Sequence, residues 1–322
     1  MGTGNIASIF SLLLALAAAA TPAPTPALAA GPSTRPAPPS LINPARDHDS
    51  LVDDLQSGDD ARVTAALQSI RAYIKRHGDP HSETQSLQIL IDAKRYADLE
   101  SIATGLILKN AAYTPSVAAL EKLRAQSFLG AGDTAQALAA AKGYYNVATL
   151  TQTADAIDLV SLCLAAAHPD DPAIVERFKQ QQVAWATAAP TSQPTAGAAP
   201  SADLATTDPA TASTATASTA TDDLGAPILP SIPTDSKPFD AAIAAVALTD
   251  YGLFVGKGNL LLLAGRASEA RKVFEQAVPI APAKNAGQAT ENVARAIRAQ
   301  AGCVAPANAY ILASQAAKGD AK

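Results

Sequence analysis

Residues 258–282 read GNLLLLAGRASEARKVFEQAVPIAP, with small and bulky side chains at the intervals of a helical hairpin. Gly258, Gly265, Ala270, Ala277 and Pro282 supply small or helix-breaking positions, and Leu261 and Phe274 supply bulk. Two helices approach closely only where one side chain is nearly absent. Gly258 and the alanines therefore mark a crossing, and the larger residues fill its flanks.

Working outward, similar punctuation recurs along the chain. Indexing each hairpin by its turn gives Gly58, Lys94, Gly132, Pro169, Gly265 and Gly302, separated by 36, 38, 37, 96 and 37 residues. Four of the five spacings agree, which unrelated turns would rarely do. Apolar followers sit at matched offsets: Ala137, Ala141 and Tyr144 after Gly132, Leu99, Ala103 and Leu106 after Lys94, and Val63, Leu67 and Ile70 after Gly58. Helix starts are marked by Ser82 with Gln85 and Asp133 with Gln136 as capping boxes, and by Thr114-Pro115 and Asp171-Pro172 as cap-plus-proline pairs.

This pattern resembles the tetratricopeptide repeat (TPR), whose period is about 34 residues. The match is strongest in 258–282, where Gly258, Gly265, Ala270, Phe274, Ala277 and Pro282 stand at repeat-packing positions, and fair around Gly132 and Ala137. The resemblance implies an all-α fold of antiparallel helical hairpins stacked as a right-handed superhelix, an α-solenoid, over 47–188 and 239–316. It also implies a partner-binding groove lined by the first helix of each hairpin, which places Gln88, Gln126 and Asn259 inward, with Thr84, Lys122 and Asn292 one turn away. Amides and a lysine suit hydrogen bonding to an extended peptide. Family members that clamp a C-terminal carboxylate use a lysine where this chain has Val255, and Ala296 stands where further contact is wanted, so that ligand class fits poorly.

Alanine dominates the apolar content, and aromatic residues make up only 4% of the chain, which suits thin helix pairs better than a large β core. The net charge of −5 is uneven: 31–188 and 189–238 each sum to −4, and 239–322 to +3. No stretch has the basic density of a nucleic-acid binder. Residues 1–29 read as a signal peptide, with an apolar run from Ile6 to Ala20, too short to span a bilayer, and Ala27-Leu28-Ala29 as a cleavage pattern. The mature chain is expected not to insert in a membrane. Residues 30–46 are a Pro-rich disordered segment and 317–322 a disordered tail. Residues 189–238, Ala/Thr/Ser/Pro-rich, read as a disordered linker of about 40 Å coil dimension, short enough for the C-terminal hairpins to return and dock on the first part.

Chemistry-bearing patterns are sparse. His77-Gly78-Asp79-Pro80-His81 gathers two imidazoles and a carboxylate without a second ligand cluster, and Gly256-Lys257-Gly258 departs from a phosphate loop at its first glycine and its Ser/Thr. Neither supports a metal or a cofactor. Cys163 and Cys303 are placed too far apart by the hairpin count to be bridged, so two buried thiols are expected. Glu83, Glu100, Glu121, Glu176, Glu269, Glu275 and Glu291 mostly fall at polar helix positions, where solvation is the default. The expectation is a non-catalytic, exported scaffold or adaptor in the bacterial cell envelope, binding a protein or peptide. The alternative is an envelope hydrolase acting on cell-wall glycan, and a third reading makes the Thr/Ser/Pro block itself the functional spacer.

Overall fold

The computed structural model describes residues 43–187 and 227–302. The signal peptide, most of the Pro-rich segment, residues 188–226, Cys303 and the tail lie outside the described residues. Within them there are thirteen α-helices, three short 3₁₀ turns and no strand. The helices are α1 (Pro44–Gln56), α2 (Asp60–His77), α3 (Pro80–Asp92), α4 (Tyr96–Lys109), α5 (Thr114–Ala131), α6 (Thr134–Val147), α7 (Thr153–Ala167) and α8 (Ala173–Thr187), followed by α9 (Ile228–Ser231), α10 (Lys237–Ala245), α11 (Tyr251–Leu263), α12 (Ala267–Ala277) and α13 (Ala286–Ala301).

The turn residues explain where the chain reverses. Lys94, Gly132 and Gly265 are all left-handed, with φ of 57°, 80° and 73°. Each closes the preceding helix with the same pair of hydrogen bonds: Arg95 N donates to Leu90 O, Asp133 N to Phe128 O and Arg266 N to Leu261 O, alongside a shorter loop from the turn residue itself. That is the Schellman pattern, which satisfies carbonyls a helix end would otherwise orphan. Lys94 is the one non-glycine with positive φ among the described residues. Three caps differ from expectation. α3 begins at Pro80 because Asp79, not Ser82, is the cap, its carboxylate accepting from the Ser82 backbone N–H; α5 begins one residue early, after Tyr113; and the Gln136 side-chain amide bonds the Asp133 carboxylate rather than closing a reciprocal box.

Odd-numbered helices of the first part pack side by side, α1 on α3, α3 on α5 and α5 on α7, while each even-numbered helix pairs with its chain neighbours. Leu87, Leu90, Leu99, Ala103, Ile107, Val117 and Leu120 fill the space between the two sets and are fully buried. At about 25 cal/mol per Å² of apolar surface, burial of this kind is the main stabilising term.

The C-terminal helices dock on this array, but not as its next hairpin. α11 and α13 lie against α6, in the middle of the row, and α10 reaches α4. The physical reason is the composition of α6, TAQALAAAKGYYNV, whose small residues leave room for a second layer. A methyl group at Gly143 would come within 2.9 Å of Glu121 Oε1 on α5 and would just touch Leu263 of α11 at 3.4 Å, so this glycine sets the approach of α6 to α5 and leaves room for α11 beside it. Gly258 does the same between α11 and α12, where an added Cβ would overlap the Phe274 ring. Ala137, Ala270, Phe274 and Ala277 are fully buried. Pro282 is exposed and precedes the 3₁₀ turn Ala283–Asn285, so it packs between no helices.

The end of the linker also departs from the disordered reading. Its last twelve residues, 227–238, are ordered, with Leu229 and Ile232 buried. Ile228 N donates to the Gln181 side chain, and Lys142 Nζ donates to Ile232 O at 2.5 Å. A low-complexity composition ends where ILPSIP begins, and that apolar run is what the segment uses to anchor itself.

Candidate functional site

The residues expected in a groove divide into two groups. Gln88 on α3 is exposed and donates to Asp92 Oδ1 at 3.0 Å; Lys122 and Gln126 on α5 are half-buried. Lys122 Nζ reaches Asp155 of α7 at 2.9 Å, and the Tyr144 hydroxyl donates to the other oxygen of the same carboxylate at 2.6 Å. Burial alone would raise the Asp155 carboxyl, but these two donors outweigh it and hold the carboxyl below its ordinary range. On the neighbouring pair, the His48 imidazole of α1 bonds Asp92 at 2.9 Å and Asp49 at 3.0 Å, and the two carboxylates raise its pKa. Gln88, Lys122 and Gln126 thus share the layer of odd-numbered helices, cross-linked by polar bonds from α1 to α3 and from α5 to α7.

Asn259 and Asn292 do not belong to an open groove. Both are buried where the C-terminal helices meet the first part. Asn259 Nδ2 donates to Ala111 O at 2.8 Å and to Thr114 Oγ1 at 3.1 Å, and Arg295 Nη2 donates to the side-chain oxygens of Asn259 and Asn292. The groove expectation fails for these two because α11 and α13 lie across α6 instead of extending the row.

Arg295 and Arg298, which the sequence reading passed over, hold that seam. Arg295 Nη1 donates to Val147 O at 2.9 Å, and Arg298 Nη2 donates to Tyr145 O and Ala148 O, both at 2.6 Å. These carbonyls end α6, where the backbone has no intrahelical donors and the helix dipole is negative, so a guanidinium there satisfies both needs. Phe274 and Tyr145 present ring faces to the two guanidinium groups at 5.6 and 5.0 Å. The exchange is reciprocal: Asn146 Nδ2 donates to Leu262 O near the end of α11. A legible signal existed, since Arg295 and Arg298 interrupt an otherwise apolar VARAIRA stretch three residues apart.

Two carboxylates are buried, contrary to the expectation of solvated glutamates. Glu83 accepts from Asn110 Nδ2 at 2.9 Å and Ser116 Oγ at 3.1 Å, beside the N-terminal turn of α5, where the helix dipole favours an anion. Glu121 is bound by Arg124 at 2.7 Å, and the same guanidinium holds Glu100 at 2.7 Å while lying near the Phe128 and Phe239 rings. Burial raises the Glu121 carboxyl despite the Arg124 charge, and Glu100 and Asp235 add like-charge repulsion. The recess lined by Glu121, Arg124, Gln136, Asp235 and Phe239 has a volume of about 20 Å³, room for a water or two and not for a sugar ring. Chemically the cluster is an ion pair that fixes α4, α5 and α10 against one another.

The remaining candidates are structural in their surroundings. Asp79 caps α3 and His77 stacks on Tyr73 at 4.1 Å; no group of three or more His, Cys, Asp or Glu side chains able to hold a metal occurs among the described residues. Gly256 and Gly258 sit inside α11, so their amides are engaged in a helix rather than free to cradle a phosphate. Cys163 is buried on α7, which pushes its thiol up to about 11. The stretch Leu150–Ala167 is long and apolar enough to cross a membrane by length and composition, yet it includes Asp155 and Asp158 and packs Ala156, Leu159, Val160 and Leu164 into the core. Compared with family models, with curated proteins and with solved structures, the chain matches none.

Proposed function

We propose that this protein is an exported, TPR-like scaffold or adaptor of the bacterial cell envelope, holding a protein or peptide through the face of α1, α3, α5 and α7 without covalent chemistry. The observation that carries the reading is the contrast in how the helices are covered. α6 is closed by α11 and α13, whereas the odd-numbered helices keep exposed or half-exposed polar side chains, Gln88, Asp92, Lys122, Gln126 and Asp158, along one layer. Amides and charged groups held by neighbouring helices suit a backbone or polar ligand laid across them, because their positions are fixed before binding. Glu100 and Glu121, which converge on Arg124, are tied to it beside a recess of water size, which supports binding over glycan cleavage.

A photo-crosslinking amino acid placed at Gln126, and separately at the exposed Gln180 of α8, tests this in cells. A discrete adduct from position 126 and none from 180 supports the reading. Absence of an adduct from either position counts against it. Release of peptidoglycan fragments by the purified protein, lost in Glu100→Gln, would replace it with the hydrolase.

A further inference from the structure

Formal charge is sorted between the two helix sets of the first part. Helices α1, α3, α5 and α7 carry nine Asp or Glu against three Lys or Arg, a balance of −6, whereas α2, α4, α6 and α8 carry four against eight, +4. Two of the nine acids, Glu83 and Glu121, are buried and satisfied internally. Of the rest, Asp49, Asp53, Asp92, Asp155 and Asp158 are exposed. The bases of the same helices leave little to balance them: Arg124 is buried against Glu100 and Glu121, Arg46 is bonded to Asp47, and Lys122 is bonded to Asp155.

The exposed acids are not scattered. Asp92 and Asp155 each stand at a bond between neighbouring helices, through His48 and Lys122, and Asp49 shares the His48 ring. Asp53 lies one turn beyond Asp49 on α1, and Asp158 one turn beyond Asp155 on α7. Asp49 and Asp53 therefore lie on α1 and Asp155 and Asp158 on α7, the two end helices of the layer, while Asp92 stands beside Gln88 on α3 and Gln126 lies on α5 between them. A surface of one sign focuses oppositely charged ligands and rejects like-charged ones.

Building on the adaptor reading, the geometry points to a Lys/Arg-rich polypeptide segment as the occupant of this face, held by its cationic side chains at the aspartates and by its backbone at the two amides. The charge complement is a cation, and the span of four adjacent helices, at about 8–10 Å between axes, asks for an extended segment of some ten residues rather than a single ion.

The test uses the full chain and three fluorescein-labelled decapeptides in which Ala alternates with Lys, Gln or Glu, read by fluorescence anisotropy at low and physiological salt. The Lys peptide is expected to bind at least tenfold more tightly than the Gln peptide, to weaken as salt rises, and to lose about tenfold in Asp49→Asn/Asp53→Asn/Asp158→Asn, with Glu176→Gln on α8 unchanged. The substituted aspartates are exposed, and an unaltered thermal melt excludes misfolding as the cause. Equal binding of the Gln and Lys peptides, weakened by Gln126→Ala, would overturn the cationic preference and leave the adaptor reading standing. No binding of any of the three would overturn the cationic proposal, leaving the crosslinking at Gln126 to decide the adaptor reading. Salt-sensitive dimers of the protein, dispersed by the same triple substitution, would assign the face to a second copy and overturn the proposal.

Discussion

The seam on α6 and the layer of odd-numbered helices are both built from short antiparallel helices, and they differ in what interrupts their apolar positions. On α6 the interruptions are Gly143, Asn146 and the helix end itself, which invite close approach and leave carbonyls to be met; Leu263, Arg295 and Arg298 meet them. On α3, α5 and α7 they are Gln88, Lys122, Gln126, Asp155 and Asp158, which keep water or a ligand close. The difference teaches that in a core poor in aromatics, closure is decided by small residues and unpaired backbone groups as much as by hydrophobic bulk.

The largest effects should come from breaking the seam. Arg298→Leu leaves the Tyr145 and Ala148 carbonyls buried without their donor and should cost about 3–5 kcal/mol in urea unfolding at constant m; a loss under 1 kcal/mol would mean that α13 is held by its apolar contacts alone. Gly258→Ala drives a methyl into Phe274 and should cost about 2 kcal/mol net, since helix propensity returns about 1 kcal/mol. Adding Phe274→Leu should recover part of that loss, because the two sites share one contact.

Smaller effects sharpen the other side of the comparison. Lys94→Gly should stabilise by about 0.5–1 kcal/mol, since it removes a side chain from a left-handed position that its counterparts Gly132 and Gly265 fill without cost. Gln88→Ala with Gln126→Ala should leave stability within about 0.5 kcal/mol, so any loss of partner binding can be assigned to the surface. The least is expected from pH. The raised His48 pKa means that its links to Asp49 and Asp92 stabilise fully below the ordinary histidine value and fade as pH rises through the folded value. His48→Gln should flatten that small slope, and the partial exposure of the pair keeps it modest.

Much of the helical layout was legible. Of the six residues chosen as turns from spacing and composition, Gly58, Lys94, Gly132, Gly265 and Gly302 adopt left-handed backbone and Pro169 lies in a turn without it; four of the five are glycine, the residue that takes that conformation without cost. The arrangement of the hairpins was not legible. Nothing local distinguishes a hairpin that extends a row from one that lies across it; that choice rests on long-range contacts such as Asn259 with Ala111 and Arg295 with Val147. For the same reason two of five groove residues were misplaced: a buried asparagine and an exposed one obey the same helical periodicity. Glu83 is hard to read because its partner Asn110, 27 residues away, becomes evident only once the helices are assembled, whereas the i,i+3 pairing of Glu121 with Arg124 on one helix was legible and only its burial was not.

One measurement tests the central claim, that 227–302 closes α6 as part of a single body. With a specific protease site inserted between residues 188 and 226, the cleaved full-length protein should elute from gel filtration as one species containing both fragments and should melt in a single transition. Separation of the fragments without denaturant, or two independent transitions, would contradict the account.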